Sequence, residues 1–128
     1  MIFTPNSPIL VQGITTPLGR YSAAAMKAYG MNVIAGTSLS GEGEAIADIP
    51  ICTLVEQALD CTGAIETSVI CVEPYAVLDA ALEAIASGLR HLILVARGVP
   101  PLDMLHLLKK APALPGPRMR VSVARAFF

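Results

Sequence analysis

The sequence predicts one α/β domain of the doubly wound, Rossmann-like kind, with a mainly parallel sheet of five to six strands. Three observations point to it. Ile9-Leu10-Val11, Ser68-Val69-Ile70-Cys71-Val72 and His91-Leu92-Ile93-Leu94-Val95 are short and apolar almost throughout, which suits strands covered on both faces. Segments of helical period separate most of these runs, so successive strands are joined by crossovers and not by hairpins. The first run breaks into a glycine-bounded turn, Gly13-Ile14-Thr15-Thr16-Pro17-Leu18-Gly19, and an alanine-rich helical pattern follows.

The elements follow in order. After the turn, Tyr21, Ala24, Ala25, Ala28 and Tyr29 recur at helical spacing and Gly30 stops the helix, which is expected from about Arg20 to Tyr29. Asn32 to Thr37 reads as the second strand and ends in a small, polar loop, Ser38 to Glu44. Ile49-Pro50-Ile51-Cys52 suits an edge strand, because proline cannot donate to a ladder. Thr53 is the expected N-cap of the next helix, with Glu56 completing a capping box. Ser68 to Val72 forms a buried strand. Val77, Leu78, Ala81, Leu82, Ile85 and Ala86 then mark one helical face closed by Gly88. After the strand His91 to Val95, Pro101 opens a helix that runs to Lys110. Residues 1–110 are therefore expected to form the domain proper. Residues 111–128 are expected to form a proline-rich connector and a basic C-terminal strand or tail, the strand suggested by the alternation of Arg118 to Val123.

The turn after the first strand is the architecture of a nucleotide phosphate site. Gly13 allows a bend that a Cβ would obstruct, Gly19 permits close approach of the backbone, and free amides at a helix start face an anion. The same turn also fits a plain, tight βα connection. Right-handed crossovers put it at the point where strand order reverses, and open α/β sheets hold ligands there.

Composition bounds the function. With 128 residues the chain can bury one core but cannot carry a cofactor domain and a separate catalytic domain. It is 54% hydrophobic with mean hydropathy +0.62, yet no apolar run approaches the ~20 residues needed to span a bilayer. No secretory signal is evident, so a cytoplasmic location is expected. Cys52, Cys61 and Cys71 match no zinc pair and no CxxC motif, and are read as small core hydrophobes. Residues 1–83 hold nine acids and two bases, Arg20 and Lys27, whereas residues 84–128 hold seven bases and one acid, Asp103. That division fits an anionic ligand near the basic part, a partner surface, or merely differing solvated faces. Without basic clusters interleaved with aromatics, and with no Trp, nucleic acid is not the expected partner. Phe127 and Phe128 either tuck onto the core, the reading preferred here, or meet another subunit.

Taken jointly, Gln12-Gly13-Ile14-Thr15 with Gly19, Ala28-Tyr29-Gly30, Ile49-Pro50, Thr62-Gly63-Ala64, Ser68-Val69-Ile70, Leu82-Glu83-Ala84-Ile85, and Gly98-Val99-Pro100 with Leu102-Asp103-Met104 resemble one family. It is the N-terminal CoA-binding domain of the succinyl-CoA synthetase α subunit, and the likeness runs from about Ile9 to Lys110. The resemblance implies a Rossmann-like fold and a ligand that is coenzyme A or acyl-CoA. It implies contacts from Gly13, Thr15, Thr16, Leu18, Thr37, Ser38, Val72, Pro74 and Ala96. Gly19, Arg20 and Arg97 join them as candidates, Gly19 for close approach and the two arginines as cations; Arg20 also reads as an exposed first-turn residue.

This chain departs from the family pattern at several places. Where the family carries a lysine in a Pro-Gly-Lys-Gly-Gly loop, this chain has Leu39-Ser40-Gly41-Glu42-Gly43. A carboxylate a few ångströms from a phosphate repels it by about 4 kcal/mol at an effective dielectric of about 20. The family's Thr-Glu-Gly becomes Ala96-Arg97-Gly98, so Arg97 either recovers an anion contact or pairs with Glu42 or Glu73. The family's second domain, with its phosphorylated histidine, has no counterpart in the sequence. His91 is expected at the strand end away from the ligand and His106 on a solvent face, so catalysis by this chain alone is not expected. The leading reading is a non-catalytic binding module for CoA, acyl-CoA or a related adenine nucleotide, acting through a homo-oligomer or a protein partner. The alternatives are a scaffold protein using its basic tail, and one subunit of a split acyl-CoA synthetase.

Overall fold

The computed structural model describes residues 7–38, 46, 48–63, 65–95, 99–110 and 120–123. Strands β1 (Ile9–Gln12), β2 (Val33–Thr37), β3 (Ile51–Cys52), β4 (Thr67–Ile70), β5 (His91–Leu94) and β6 (Arg120–Val123) form one six-stranded sheet. Helices α1 (Pro17–Ala28), α2 (Val55–Thr62), α3 (Val77–Ala86) and α4 (Pro101–Lys110) connect them. Every strand pairing is parallel, in the order β3-β2-β1-β4-β5-β6. From β1 the chain builds outward to β3, then returns to lay β4 beside β1 and builds outward the other way. The order therefore reverses between β1 and β4, as in Rossmann-like folds.

The apolar strands serve two cores. Ile9 and Val11 of β1 face one layer with Val33, Val69, Cys71 and Ala23 of α1. Leu10 faces the other, where Ile70, Leu92 and Leu94 meet Val55 and Ala58 of α2, Val77, Ala81, Ala84 and Ile85 of α3, and Leu107 of α4. Gln12 is an exception. Buried at the end of β1, it accepts a hydrogen bond from Ser68 Oγ (2.7 Å) and donates through Nε2 to the Ala80 carbonyl (2.9 Å). Its amide thus ties β4 and α3 to the central strand with both polar groups satisfied.

Several expectations are corrected. Helix α1 begins at Pro17 and not at Arg20, because Thr16 caps it and proline is preorganised for the first helical position. The residues that mark its helical spacing do not form its inner face. Tyr21 and Tyr29 are 59% and 87% exposed, while Gly19 and Ala23 are buried and Leu18 and Met26 pack beside them. Helix α2 is capped at Leu54 and not by Thr53 with Glu56. Gln57 Oε1 accepts from the amides of Thr53 (3.1 Å) and Leu54 (3.2 Å), and Glu83 of α3 accepts from Val55 N (2.9 Å). A carboxylate from a neighbouring helix thus satisfies a first-turn amide and complements the helix dipole. Of the three cysteines only Cys71 is buried; Cys61 is exposed on α2 and Cys52 is half-buried. Among the described residues no helix is long and apolar enough to cross a membrane.

Candidate functional site

The parallel strands all end on one edge of the sheet, and the expected ligand residues gather where β1, β2 and β4 end. The turn from β1 into α1 is fixed by its backbone. Gly13 N and Ile14 N both donate to the Thr37 carbonyl at the end of β2, at 2.9 and 3.1 Å. Gly13 has φ +80°, and a Cβ there would stand 2.7 Å from Val72 Cγ1 and 2.8 Å from the Cys71 carbonyl oxygen. Glycine is therefore required both by conformation and by the approach of the β4 end. Gly19 serves a different need, since its Cβ would fall on the Gly13 carbonyl oxygen. The first turn of α1 thereby lies directly against the end of β1. Gly36, which the sequence did not mark, is constrained likewise: a Cβ would stand 2.5 Å from Ile14 Cδ1.

The hydroxyls are engaged within the protein. Thr16 Oγ1 accepts from Gly19 N (2.9 Å) and donates to the carbonyls of Gly13 (2.8 Å) and Cys71 (2.7 Å). It caps α1 and pins the turn to the end of β4. Thr15 Oγ1 and Ser38 Oγ lie 2.6 Å apart, joining the turn to the end of β2. Arg20 Nε donates to the Thr15 carbonyl (3.2 Å), which lays an exposed guanidinium beside the turn. Among the backbone hydrogen bonds of the described residues, the amides of Gly13, Ile14, Thr16, Gly19 and Arg20 are accounted for, and those of Thr15 and Leu18 are not. Neither of these two amides has an acceptor among the described residues.

Val72 and Pro74 follow β4 and are half-buried, with Pro74 opening a 3-10 turn through Ala76. Val72 stands against the turn as an apolar side, since its Cγ1 is the atom nearest to the space Gly13 leaves. Beneath the turn lies Cys71, whose thiol burial pushes up to about 11, partly offset by a hydrogen bond with Ser22. Such a thiol stays protonated and inert at neutral pH. The structure thus brings together Gly13, Thr15, Thr16, Leu18, Gly19, Arg20, Thr37, Ser38, Val72 and Pro74. Ala96 and Arg97 lie outside the described residues, as do Gly41, Glu42 and Gly43. His91 begins β5, at the opposite edge of the sheet, and His106 is exposed on α4.

Comparison with known proteins gives this geometry a lineage. The sequence matches the CoA binding domain family over residues 4–98. It is 36% identical over 107 residues to the malate–CoA ligase α subunit of Methylorubrum extorquens, covering 84% of this chain and 36% of that protein. It is 35% identical over 105 residues to a succinate–CoA ligase α subunit of Archaeoglobus fulgidus, covering 82% and 36%. The chain therefore spans little more than a third of the length of these relatives. Among solved structures, a conserved hypothetical protein from Pyrococcus furiosus superposes with TM-score 0.69 at 19% identity, covering 94% of this chain and 95% of that one. RSP, a Rex-family repressor in complex with NADH, does so with TM-score 0.66 at 15% identity, covering 93% and 53%. At such identity these structures speak for the fold alone, which is Rossmann-like. With a family match over most of its length and ligase α subunits above 30% identity, the chain belongs to the CoA-binding domain family.

Proposed function

We propose that this chain binds coenzyme A, free or acylated, at the edge where β1, β2 and β4 end, and that the chemistry performed on the ligand is supplied elsewhere. One observation carries the reading: in a chain of this family, the β1–α1 turn sits at the strand-order reversal, where Gly13 and Gly19 let the end of β4 and the first turn of α1 pack tightly on it. The ligand's phosphates would meet the amides of Thr15 and Leu18 and the Arg20 guanidinium. Ser38 and Thr37 would border its ribose, and Val72 and Pro74 would give an apolar side to adenine or pantetheine. Ala96 and Arg97 belong to the same proposal through the family resemblance. The described residues include no cluster able to hold a metal ion, and neither histidine lies at this edge.

A second reading rests on the relatives, which are ligase α subunits: the chain acts as the CoA-holding piece of such a ligase. Calorimetric titration with CoA, acetyl-CoA, NAD and ATP tests the first reading. Heat with CoA or acetyl-CoA and none with NAD is the expected result, and no heat with any of the four contradicts it. Gain of CoA-ligase activity on adding a separately made catalytic subunit would favour the second.

A further inference from the structure

We propose that Thr16 and Pro17 close the head of α1 against the ligand's phosphates, so that the domain holds CoA more weakly than its fold allows. The inference rests on the CoA reading above and specifies how this chain tunes that site. An anion at a helix start is held by the first amides of the helix, which carry no internal partner. Here the three are reduced to one. Pro17 occupies the first helical position and has no N–H. Gly19 N, the third, already donates to Thr16 Oγ1 at 2.9 Å. Among the described residues only Leu18 N, the second, has no acceptor, and the fourth, Arg20 N, is committed to the Thr16 carbonyl at 2.8 Å.

The Thr16 hydroxyl cannot easily swing away to yield its place. Its proton is directed to the carbonyls of Gly13 and Cys71, at 2.8 and 2.7 Å, so rotation would break bonds to two separate elements as well as the cap. Thr16 thus stands where a phosphate oxygen would otherwise accept, as an internal substitute for the anion. The remaining attraction falls on the amides of Thr15 and Leu18 and on Arg20, whose Nε already reaches the Thr15 carbonyl.

Thr16→Gly tests this directly. Glycine is an acceptable N-cap, so the helix keeps its start, and the variant frees Gly19 N. Calorimetric titration with CoA should give an affinity at least fivefold above the wild type for Thr16→Gly, while Thr16→Ser, which keeps the hydroxyl, stays within twofold. A folded Thr16→Gly protein that binds CoA no better than the wild type overturns the proposal and leaves the CoA reading intact. Absence of CoA binding in the wild type and in every variant overturns that reading, and the proposal with it. Should Thr16→Gly fail to fold, Pro17→Ala decides the matter. It restores an N–H at the first position without touching the cap, and should tighten CoA binding at least twofold; unchanged affinity overturns the proposal.

Discussion

Replacing Gly19 with alanine should destabilise the domain by about 2 kcal/mol, although alanine is the better helix former. Within a helix that exchange ordinarily stabilises by up to about 1 kcal/mol. At Gly19, however, the added Cβ would fall on the Gly13 carbonyl oxygen and lie 2.9 Å from both Gly13 C and Ile14 Cα. All three are backbone atoms, so no flexible side chain can give way and α1 must shift off the end of β1. Overpacking of this kind costs about 1–3 kcal/mol, and the rigid neighbours place it at the upper end. Subtracting the gain in helix propensity leaves about 2 kcal/mol, equivalent to a fall in Tm of roughly 8 °C for a domain of this size. Thermal unfolding followed by circular dichroism measures it. Gly30→Ala is the control, because Gly30 has φ +82° and a Cβ there would meet none of the described residues beyond its chain neighbours within 4 Å, so only conformational strain of about 1–2 kcal/mol applies. The discriminating readout is CoA affinity. Gly19→Ala should weaken it by moving the turn, whereas Gly30→Ala should leave it unchanged. A Tm for Gly19→Ala at or above the wild-type value would refute the close approach of α1 to β1.

Three further outcomes follow from buried and exposed groups. The Cys71 thiol rises from 9.0 to about 11 on burial, so the folded state is favoured fully below pH 9 and loses that advantage as pH climbs toward 11. At 1.36 kcal/mol per unit the loss is on the order of 3 kcal/mol, and Cys71→Ala should flatten the decline of Tm between pH 8 and 10.5; an unaltered decline contradicts the assignment. At pH 8 a thiol reagent should modify Cys61 in the folded protein and reach Cys71 only after denaturation, and equal rates for the two would contradict the burial of Cys71. Gln12→Leu should cost about 2–4 kcal/mol in urea unfolding, because the Ser68 hydroxyl and the Ala80 carbonyl each lose a buried partner; a cost below 1 kcal/mol would show that neither bond matters.

The parallel, doubly wound sheet was legible because its signals are local. Val33 to Thr37, Ser68 to Ile70 and His91 to Leu94 are short and largely apolar, and each is followed by a helical period or a small polar loop. Even β6 shows in the alternation of Arg118 to Val123. What escaped depended on partners distant in sequence. The α2 start takes its carboxylate from Glu83, and Thr15 meets Ser38 across the turn. Gly36 must be small only because Ile14 lies on it. Two misreadings had local causes. Thr16-Pro17 is a strong helix-start signal, but grouping Gly19 with the turn concealed it. The helical spacing of Tyr21, Ala24, Ala25, Ala28 and Tyr29 marks the helix but not its packing face, which Ala23, Met26 and a glycine needed for contact form.

The central claim is that a CoA molecule rests against the β1–α1 turn at the shared strand-end edge. Amide chemical shifts of isotopically labelled protein, followed by NMR as CoA is added, test it residue by residue. The account predicts the largest changes at Gly13 to Thr16, Leu18 to Arg20, Thr37, Ser38, Val72, Glu73 and Tyr75, with Gly30, Gly63 and Gly88 at the opposite edge unmoved. Changes concentrated at that opposite edge, or none at millimolar CoA, would contradict it.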